Sequence, residues 1–191
     1  PSDGEIPKKL AFIQCVGSRD AQLGNNYCSA ACCMYSIKEA VVAREHVPTE
    51  LSSKIFYMDI RAHGKEFDAY YNRAQGEWGI QFVRSRVASV TENPSTGNVF
   101  LHYVENEEPK KEEFDMVVLS IGMKPPKDVE ELAKNLGIKL NKYNFCETQT
   151  FSPMNTSKPG IFACGAFSAP KDIPESVAQA SGAAAKAMSI I

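Results

Sequence analysis

The chain of 191 residues is 43% hydrophobic and 23% charged, with a formal net charge of −2 at pH 7. This balance is typical of one compact globular unit, or of one domain plus part of another. The near-neutral net charge does not suggest a nucleic-acid partner, and no apolar run approaches the ~20 residues of a membrane-spanning helix. We therefore expect no nucleic-acid partner and no membrane insertion by this chain.

The opening segment, PSDGEIPKK, is polar and turn-forming, unlike a signal peptide, and begins with Pro1 instead of methionine. We interpret the chain as a fragment or processed piece of a longer protein. Its six cysteines do not indicate a secreted disulfide scaffold, because the chain is long enough to bury a core. Reduced, metal-bound or catalytic thiols in the cytoplasm are the favoured interpretation.

The first half of the chain alternates between predicted strands and helices. Apolar residues predict a strand over 8–16, and helical spacing of small and apolar residues predicts a helix over about 29–46. A second strand, rich in β-branched and aromatic residues, is predicted at 54–60, and a second helix at 65–75.

The pattern then changes to alternating strands. The turn ENPSTGN predicts a hairpin between 86–90 and 99–104, and the polar run 105–113 is interpreted as a solvated loop tip. The apolar run 114–122 is typical of the centre of a parallel sheet. After the break MKPPKD we expect a short helix ending at Gly137, a buried strand over 160–167, and a closing helix with Pro174 in its first turn.

This order predicts an α/β fold, a Rossmann-like doubly wound sheet with a small antiparallel β addition. The break MKPPKD predicts a division into two parts. Residues 1–124 are interpreted as a module like an NAD(P)-binding domain that carries a cysteine cluster, and residues 125–191 as a second part.

Four of the cysteines fall in the first β-α unit, with the spacing C-x12-C-x3-C-C. Cys15 is expected at the end of the first strand, Cys28 at the start of the helix, and Cys32 and Cys33 within it, so that four thiolates converge across one loop. This count suits an iron–sulfur cluster, although the spacing is not that of common ferredoxins. Structural zinc and unmetallated core thiols remain open on the residues alone.

The same stretch lacks a dinucleotide-binding fingerprint. G-x-G-x-x-G is expected after the first strand, and only Gly17 is present there. Asp59 follows Gly17 by 42 positions, against ~20 for an acid that contacts a ribose. The sequence therefore predicts a Rossmann-like module that does not bind a nicotinamide.

The segments FDMVVLSIGMKPP and TSKPGIFACGAF resemble the two-dinucleotide-domain flavoproteins that include thioredoxin reductase. The segments FIQCVGSRD, YCSAACCMYSIKEA, IFYMDIRAHGK and PKDIPESVAQASGAA narrow the resemblance to the family of heterodisulfide reductase A subunits. In that family a cluster-bearing domain replaces the ordinary pyridine-nucleotide domain.

The resemblance implies a [4Fe–4S] cluster held by Cys15, Cys28, Cys32 and Cys33, which relays single electrons to or from FAD. It further implies electron bifurcation within a multi-subunit cytoplasmic complex of anaerobic microbes, in methanogenesis or sulfate respiration. Such a relay needs no acid–base group, so no catalytic residue is assigned.

By the same resemblance, 125–191 is the C-terminal segment of an FAD-binding domain, although Ala166 stands where a flavin-contacting Asp is common. Without that Asp, we expect the flavin to be contacted by backbone amides, by side chains and by the dipole at the start of the closing helix. The candidate cofactor-binding residues are Gly165, Lys171, Asp172, Ile173, Pro174 and Ser176. A plain helix cap is the competing interpretation. The family's glycine-rich FAD turn precedes Pro1, so this piece alone is expected to bind FAD weakly and to be inactive.

Two other functions stay open. The first is a piece of an NAD(P)H-dependent flavin disulfide reductase whose cysteines only pack, and the missing glycine fingerprint counts against it. The second is a zinc-stabilised interaction domain. Cys146 and Cys164 have no partner nearby in sequence and are interpreted as structural.

Overall fold

The computed structural model describes residues 4–190; residues 1–3 of the predicted opening segment and residue 191 of the predicted closing helix lie outside this range. The chain divides into two compact units. The first unit contains residues 4–17 and Cys32–Gly122, and the second contains Ser18–Ala31 and residues 123–190.

The first unit is built on a parallel sheet with helices, which confirms the predicted α/β fold. Its four strands pair in parallel in the order β3-β2-β1-β7. The strands are β1 (Lys9–Val16), β2 (Ser52–Tyr57), β3 (Gln81–Arg84) and β7 (Met116–Ile121), and the helices are α1 (Cys32–His46) and α2 (Phe67–Gly76).

The core of this unit forms where α1 covers one face of the sheet. Leu10 and Phe12 of β1 are two residues apart, so both side chains point to the same face. There they share one buried cluster with Ile37 and Val41, which lie one helical turn apart on α1. Because residues two apart on β1 pack against residues one turn apart on α1, the helix lies over β1. Its first turn lies above the carboxyl end of that strand.

A three-stranded antiparallel sheet completes the unit and confirms the small antiparallel addition. It consists of β4 (Ser89–Glu92), β5 (Val99–Glu105) and β6 (Glu108–Phe114). The prediction of a loop tip at 105–113 was wrong, because β6 pairs with β5 along its whole length. Asn106 and Glu107 both have positive φ angles, 51° and 67°, which makes a tight two-residue turn whose twist suits the hairpin.

The strand β7 lies at the edge of the parallel sheet, not at its centre as its apolar run predicted. It pairs with β1 along one side. Consistent with an edge position, Leu119 and Ile121 are exposed despite their apolar side chains.

The second unit contains α3 (Val129–Leu136), the short strands β8 (Thr148–Gln149) and β9 (Ser152–Thr156), and α4 (Ile173–Met188). The helix α3 ends at Gly137 with φ 69°, as predicted. The predicted strand at 160–167 was wrong: Phe162 forms an isolated bridge with Asn155, and Gly165–Phe167 is a 3₁₀ turn. No helix within residues 4–190 combines the length and apolar character needed to cross a membrane.

A partly buried ionic group links the two sheets of the first unit. Glu112 on β6 accepts hydrogen bonds from Lys54 Nζ at 2.7 and 2.9 Å and from the Tyr103 hydroxyl at 2.7 Å, and it pairs with Lys9 at 2.7 Å. Burial alone raises the pKa of a carboxyl group, but the hydrogen bonds from Lys54, Lys9 and Tyr103 outweigh it and lower the pKa of Glu112 to about 2.

We expect Glu112→Gln to lower the free energy of unfolding by about 1.5–3 kcal/mol at pH 7, since it removes the charge that these bonds stabilise. The pKa of Glu112 lies below its unfolded value, so the stabilisation is present above about pH 4 and is lost as the pH falls toward 2. Urea unfolding of both proteins between pH 7 and pH 3 measures this difference. A difference that stays constant over that range would contradict the assignment.

Candidate functional site

The carboxyl end of β1 is distorted at Cys15. Between the pairs Ile13–Leu119 and Val16–Ile121, three steps along β1 match two steps along β7, which is a bulge in a parallel pair. Cys15 itself has φ 62°, in the left-handed region that non-glycine residues seldom adopt. Such a conformation costs on the order of 1–3 kcal/mol and persists at sites where a side chain must be re-aimed.

The helix α1 begins at Cys32, three residues later than predicted. Ala30 has φ 59°, and the Ala31 amide bonds to the Ser29 carbonyl oxygen at 2.6 Å, so the backbone before Cys32 is a turn. Cys28 therefore lies outside the helix, and the prediction that it starts the helix was wrong. Its Sγ accepts a hydrogen bond from the Ala30 amide at 3.3 Å.

Two thiols of the first unit, Cys15 and Cys33, lie within hydrogen-bonding reach of a third, Cys32. Hydrogen bonding to Cys15, and then to Cys33, raises the pKa of the Cys32 thiol, with burial adding to the effect. The hydrogen bond from Cys32 and one from the Arg61 backbone amide lower the pKa of Cys33 to about 7, against the opposing effect of burial. Cys33 Sγ also lies 3.8 Å from the Asp59 carbonyl oxygen. Cys15, Cys32 and Cys33 thus form one cluster of coupled thiols, which we call the thiol cluster.

None of the six cysteines, all within the described residues, forms a disulfide. Across residues 4–190, no group of three or more His, Cys, Asp or Glu side chains is arranged to enclose a single metal ion. The predicted four-cysteine ligand set therefore stays a prediction.

In the second unit, the two residues that flank Cys28 are held in place by hydrogen bonds and ring contacts. The Tyr27 hydroxyl donates to the Met123 carbonyl oxygen at 3.0 Å, and its ring makes edge contacts with Tyr143 and Phe145. The Ser29 hydroxyl accepts the Met123 amide at 3.0 Å. The residues on both sides of Cys28 are fixed by these bonds.

Sequence reasoning missed one residue beside the thiol cluster. Gln14 precedes Cys15 on β1 and is 7% exposed, and neither its Nε2 nor its Oε1 atom has a hydrogen-bond partner. The signal was a lone amide in the apolar strand KLAFIQCV, at an inward position after Leu10 and Phe12.

The start of α4 forms a complete capping box. The Asp172 side chain accepts the Glu175 amide at 2.8 Å, the Glu175 carboxylate accepts the Asp172 amide at 3.4 Å, and Pro174 occupies the first turn. The Ser176 hydroxyl donates to the Asp172 carbonyl oxygen at 2.7 Å. These contacts agree with the competing interpretation of this segment as a helix cap, to which Asp172, Pro174 and Ser176 contribute.

The other predicted flavin-contacting residues differ in their hydrogen bonds and in their exposure. The Gly165 amide donates to Gln179 Oε1 at 2.9 Å, and its φ of 63° favours glycine. Lys171 Nζ donates to the Ser168 hydroxyl at 3.0 Å, and burial lowers the pKa of Lys171. Ile173 is 79% exposed.

Comparison with known proteins identifies the class. Residues 30–184 match the family described as pyridine nucleotide-disulphide oxidoreductase, and the chain belongs to that family. Within it, the chain is similar to heterodisulfide reductase A subunits, as the sequence predicted. It is 45% identical over 189 residues to the iron-sulfur A subunit of CoB–CoM heterodisulfide reductase from Methanocaldococcus jannaschii, covering 96% of this chain and 28% of that protein.

A second relative gives the same result. The A subunit of H(2):CoB-CoM heterodisulfide,ferredoxin reductase from Methanothermobacter marburgensis is 44% identical over 191 residues, covering 98% of this chain and 29% of that protein. The chain thus spans under a third of the length of these relatives. Together with the family match, they place the chain among redox proteins of the pyridine nucleotide-disulphide oxidoreductase family.

Solved structures share the fold. Thioredoxin reductase of T. acidophilum superposes with a TM-score of 0.64 at 18% identity, over 95% of this chain and 52% of that one. Thioredoxin reductase of Lactococcus lactis gives 0.61 at 20% identity, also over 95% and 52%. These likenesses confirm the FAD/NAD(P)-binding fold class that the sequence predicted.

Proposed function

We propose that this chain is part of an iron–sulfur flavoprotein electron-transfer subunit similar to the heterodisulfide reductase A subunits. In this proposal Cys15, Cys28, Cys32 and Cys33 hold a [4Fe–4S] cluster. One observation carries the proposal: the strained Cys15 and the thiol of Cys33 both lie within hydrogen-bonding reach of the Cys32 thiol, at the carboxyl end of β1. Ligands bind at this edge of open α/β sheets.

The residues around the thiol cluster suit a cluster of iron and sulfide. Four thiolates are the usual ligand number, and Cys28, in the turn before α1, is the proposed fourth ligand. The Arg61 amide that bonds to Cys33 and the start of α1 both favour negative charge on sulfur. The unpartnered Gln14 amide offers a further donor.

The first β-α turn also supports electron relay over hydride transfer from a nicotinamide. A pyrophosphate needs a glycine-rich turn that lets the backbone approach it, and only Gly17 stands there. Cysteine side chains occupy the ends of the strand and helix where such a turn would bind its ligand.

We further propose that residues 125–191 form the C-terminal segment of an FAD-binding domain. The Gly165 amide is engaged by Gln179 and the Glu175 amide by Asp172, so flavin contact falls chiefly to Lys171, Ile173 and the dipole of α4. A flavin supplies the capacity to exchange electrons singly or in pairs, whereas an iron–sulfur cluster exchanges them singly. The capping box defines where α4 begins, and the positive end of its dipole supports binding of an anionic group such as a flavin phosphate there.

The names of the relatives support a proposal for the setting of this chain. The matched relatives are named as A subunits of heterodisulfide reductases, so we propose a multi-subunit cytoplasmic redox complex as the setting.

The test is metal and sulfide analysis of the chain after anaerobic reconstitution, combined with a titration with NADH. We expect about four iron and four sulfide per chain and no saturable NADH binding. Zinc bound without iron or sulfide would overturn the proposal in favour of an interaction domain. Saturable NADH binding without a cluster would favour a flavin disulfide reductase.

A further inference from the structure

A buried amide with two unpartnered polar atoms needs a physical explanation. Gln14 is only 7% exposed, and its Nε2 and Oε1 atoms make no hydrogen bond. Leaving a buried polar group unpaired costs about 1–3 kcal/mol, and natural cores avoid it. An apolar side chain at this position would avoid that cost.

The position of Gln14 on β1 places it under the first turn of α1. The side chains of Leu10 and Phe12 face α1, and alternation puts Gln14 next on that face. Gln14 and Cys15 lie opposite Ser120 on β7, because the bulge matches two residues with one. The Ser120 hydroxyl lies 2.6 Å from the Ser36 hydroxyl on α1.

The contact between Ser36 and Ser120 shows which turn of α1 lies near Gln14. Ser36 is one helical turn after Cys32, and α1 runs from the carboxyl end of β1 back over the sheet. The first turn of α1, from Cys32 to Ser36, therefore lies over the end of β1 where Gln14 stands. Gln14 also directly precedes Cys15, so it lies at the same strand end as one member of the thiol cluster and below the helical turn on which the other two lie.

We propose that the Gln14 side-chain amide donates a hydrogen bond to a sulfur atom of the cluster and thereby raises its reduction potential. This inference rests on the proposed function. Sulfide and thiolate sulfurs accept hydrogen bonds, and Nε2 carries two donors. One-electron reduction adds negative charge to the cluster, so a donor to its sulfur stabilises the reduced state more than the oxidised one.

The test is the midpoint potential of the reconstituted protein, followed by electron paramagnetic resonance during a reductive titration. Gln14→Leu keeps the volume near that of glutamine and removes both donors. We expect the equilibrium constant for reduction to fall about tenfold, which is ~59 mV for one electron. Gln14→Glu, which lacks the amide donor, is expected to shift the potential in the same direction, and it serves as the second variant if Gln14→Leu does not fold.

Ser53→Ala is the matched control, because Ser53 is also buried with an unpartnered side-chain oxygen but pairs with Leu10 near the opposite end of β1. Its potential is expected to equal that of the unsubstituted chain. An unchanged potential in Gln14→Leu or Gln14→Glu, with the cluster present, would overturn this inference alone. Failure of the unsubstituted chain to assemble any cluster would overturn the proposed function, and this inference with it.

Discussion

Cys32→Ser is expected to reduce the iron and sulfide retained after anaerobic reconstitution by more than tenfold. Loss of a group that merely supports a metal ligand typically costs about 10–100-fold in metal affinity, so loss of a ligand costs at least as much. Cys32 is buried between Cys15 and Cys33, and serine at this position leaves a hydroxyl that does not ionise in the physiological range. Iron and sulfide assays, with the visible absorption of the cluster, measure the effect.

Cys164→Ser is the control for that experiment, because Cys164 is a partly buried thiol outside the proposed set. We expect it to retain iron and sulfide at the level of the unsubstituted chain. Equal retention by Cys32→Ser and Cys164→Ser would show that the thiol cluster does not hold the metal.

Phe56→Ala is expected to lower the free energy of unfolding by about 3–5 kcal/mol, because it removes a large side chain from a closed core. Phe56 on β2 is 1% exposed, and its ring centroid lies 4.7 Å from that of Tyr103 and 6.0 Å from that of Phe114. These partners lie on β5 and β6, so Phe56 holds the antiparallel sheet against the parallel sheet. Urea unfolding of the chain under reducing conditions measures the change.

Phe151→Ala provides the matched control, since it removes the same side chain from a position that is 99% exposed. We expect a change within about 0.5 kcal/mol, as for most surface substitutions. A loss of less than about 1 kcal/mol for Phe56→Ala would contradict the packing of the antiparallel sheet on the parallel sheet.

The elements that the sequence predicted well are those with local signals. The helix α4 begins with Asp172, Pro174 and Glu175, a cap that can be read directly from the residues, and α3 ends at Gly137. The segment 160–167 was misassigned because a short apolar run does not distinguish a strand from other buried backbone. The segment 105–113 was misassigned because its charged residues lie on the exposed face of a hairpin strand, paired by main-chain bonds.

At the candidate site, the sequence predicted which cysteines are candidate ligands, but it did not predict their backbone conformation. The left-handed conformations of Cys15 and Ala30 depend on the pairing of β1 with β7 and on where α1 begins, which are tertiary features. The same holds for Gln14, whose significance appears only once its amide is found buried and unpartnered.

X-ray absorption at the iron edge of the anaerobically reconstituted chain tests the four-cysteine cluster most directly. We predict iron surrounded by sulfur atoms alone, with neighbouring iron atoms, as in a [4Fe–4S] cluster held by four thiolates. Isolated iron with nitrogen or oxygen ligands, or the same spectrum after the four cysteines are replaced by serine, would contradict it.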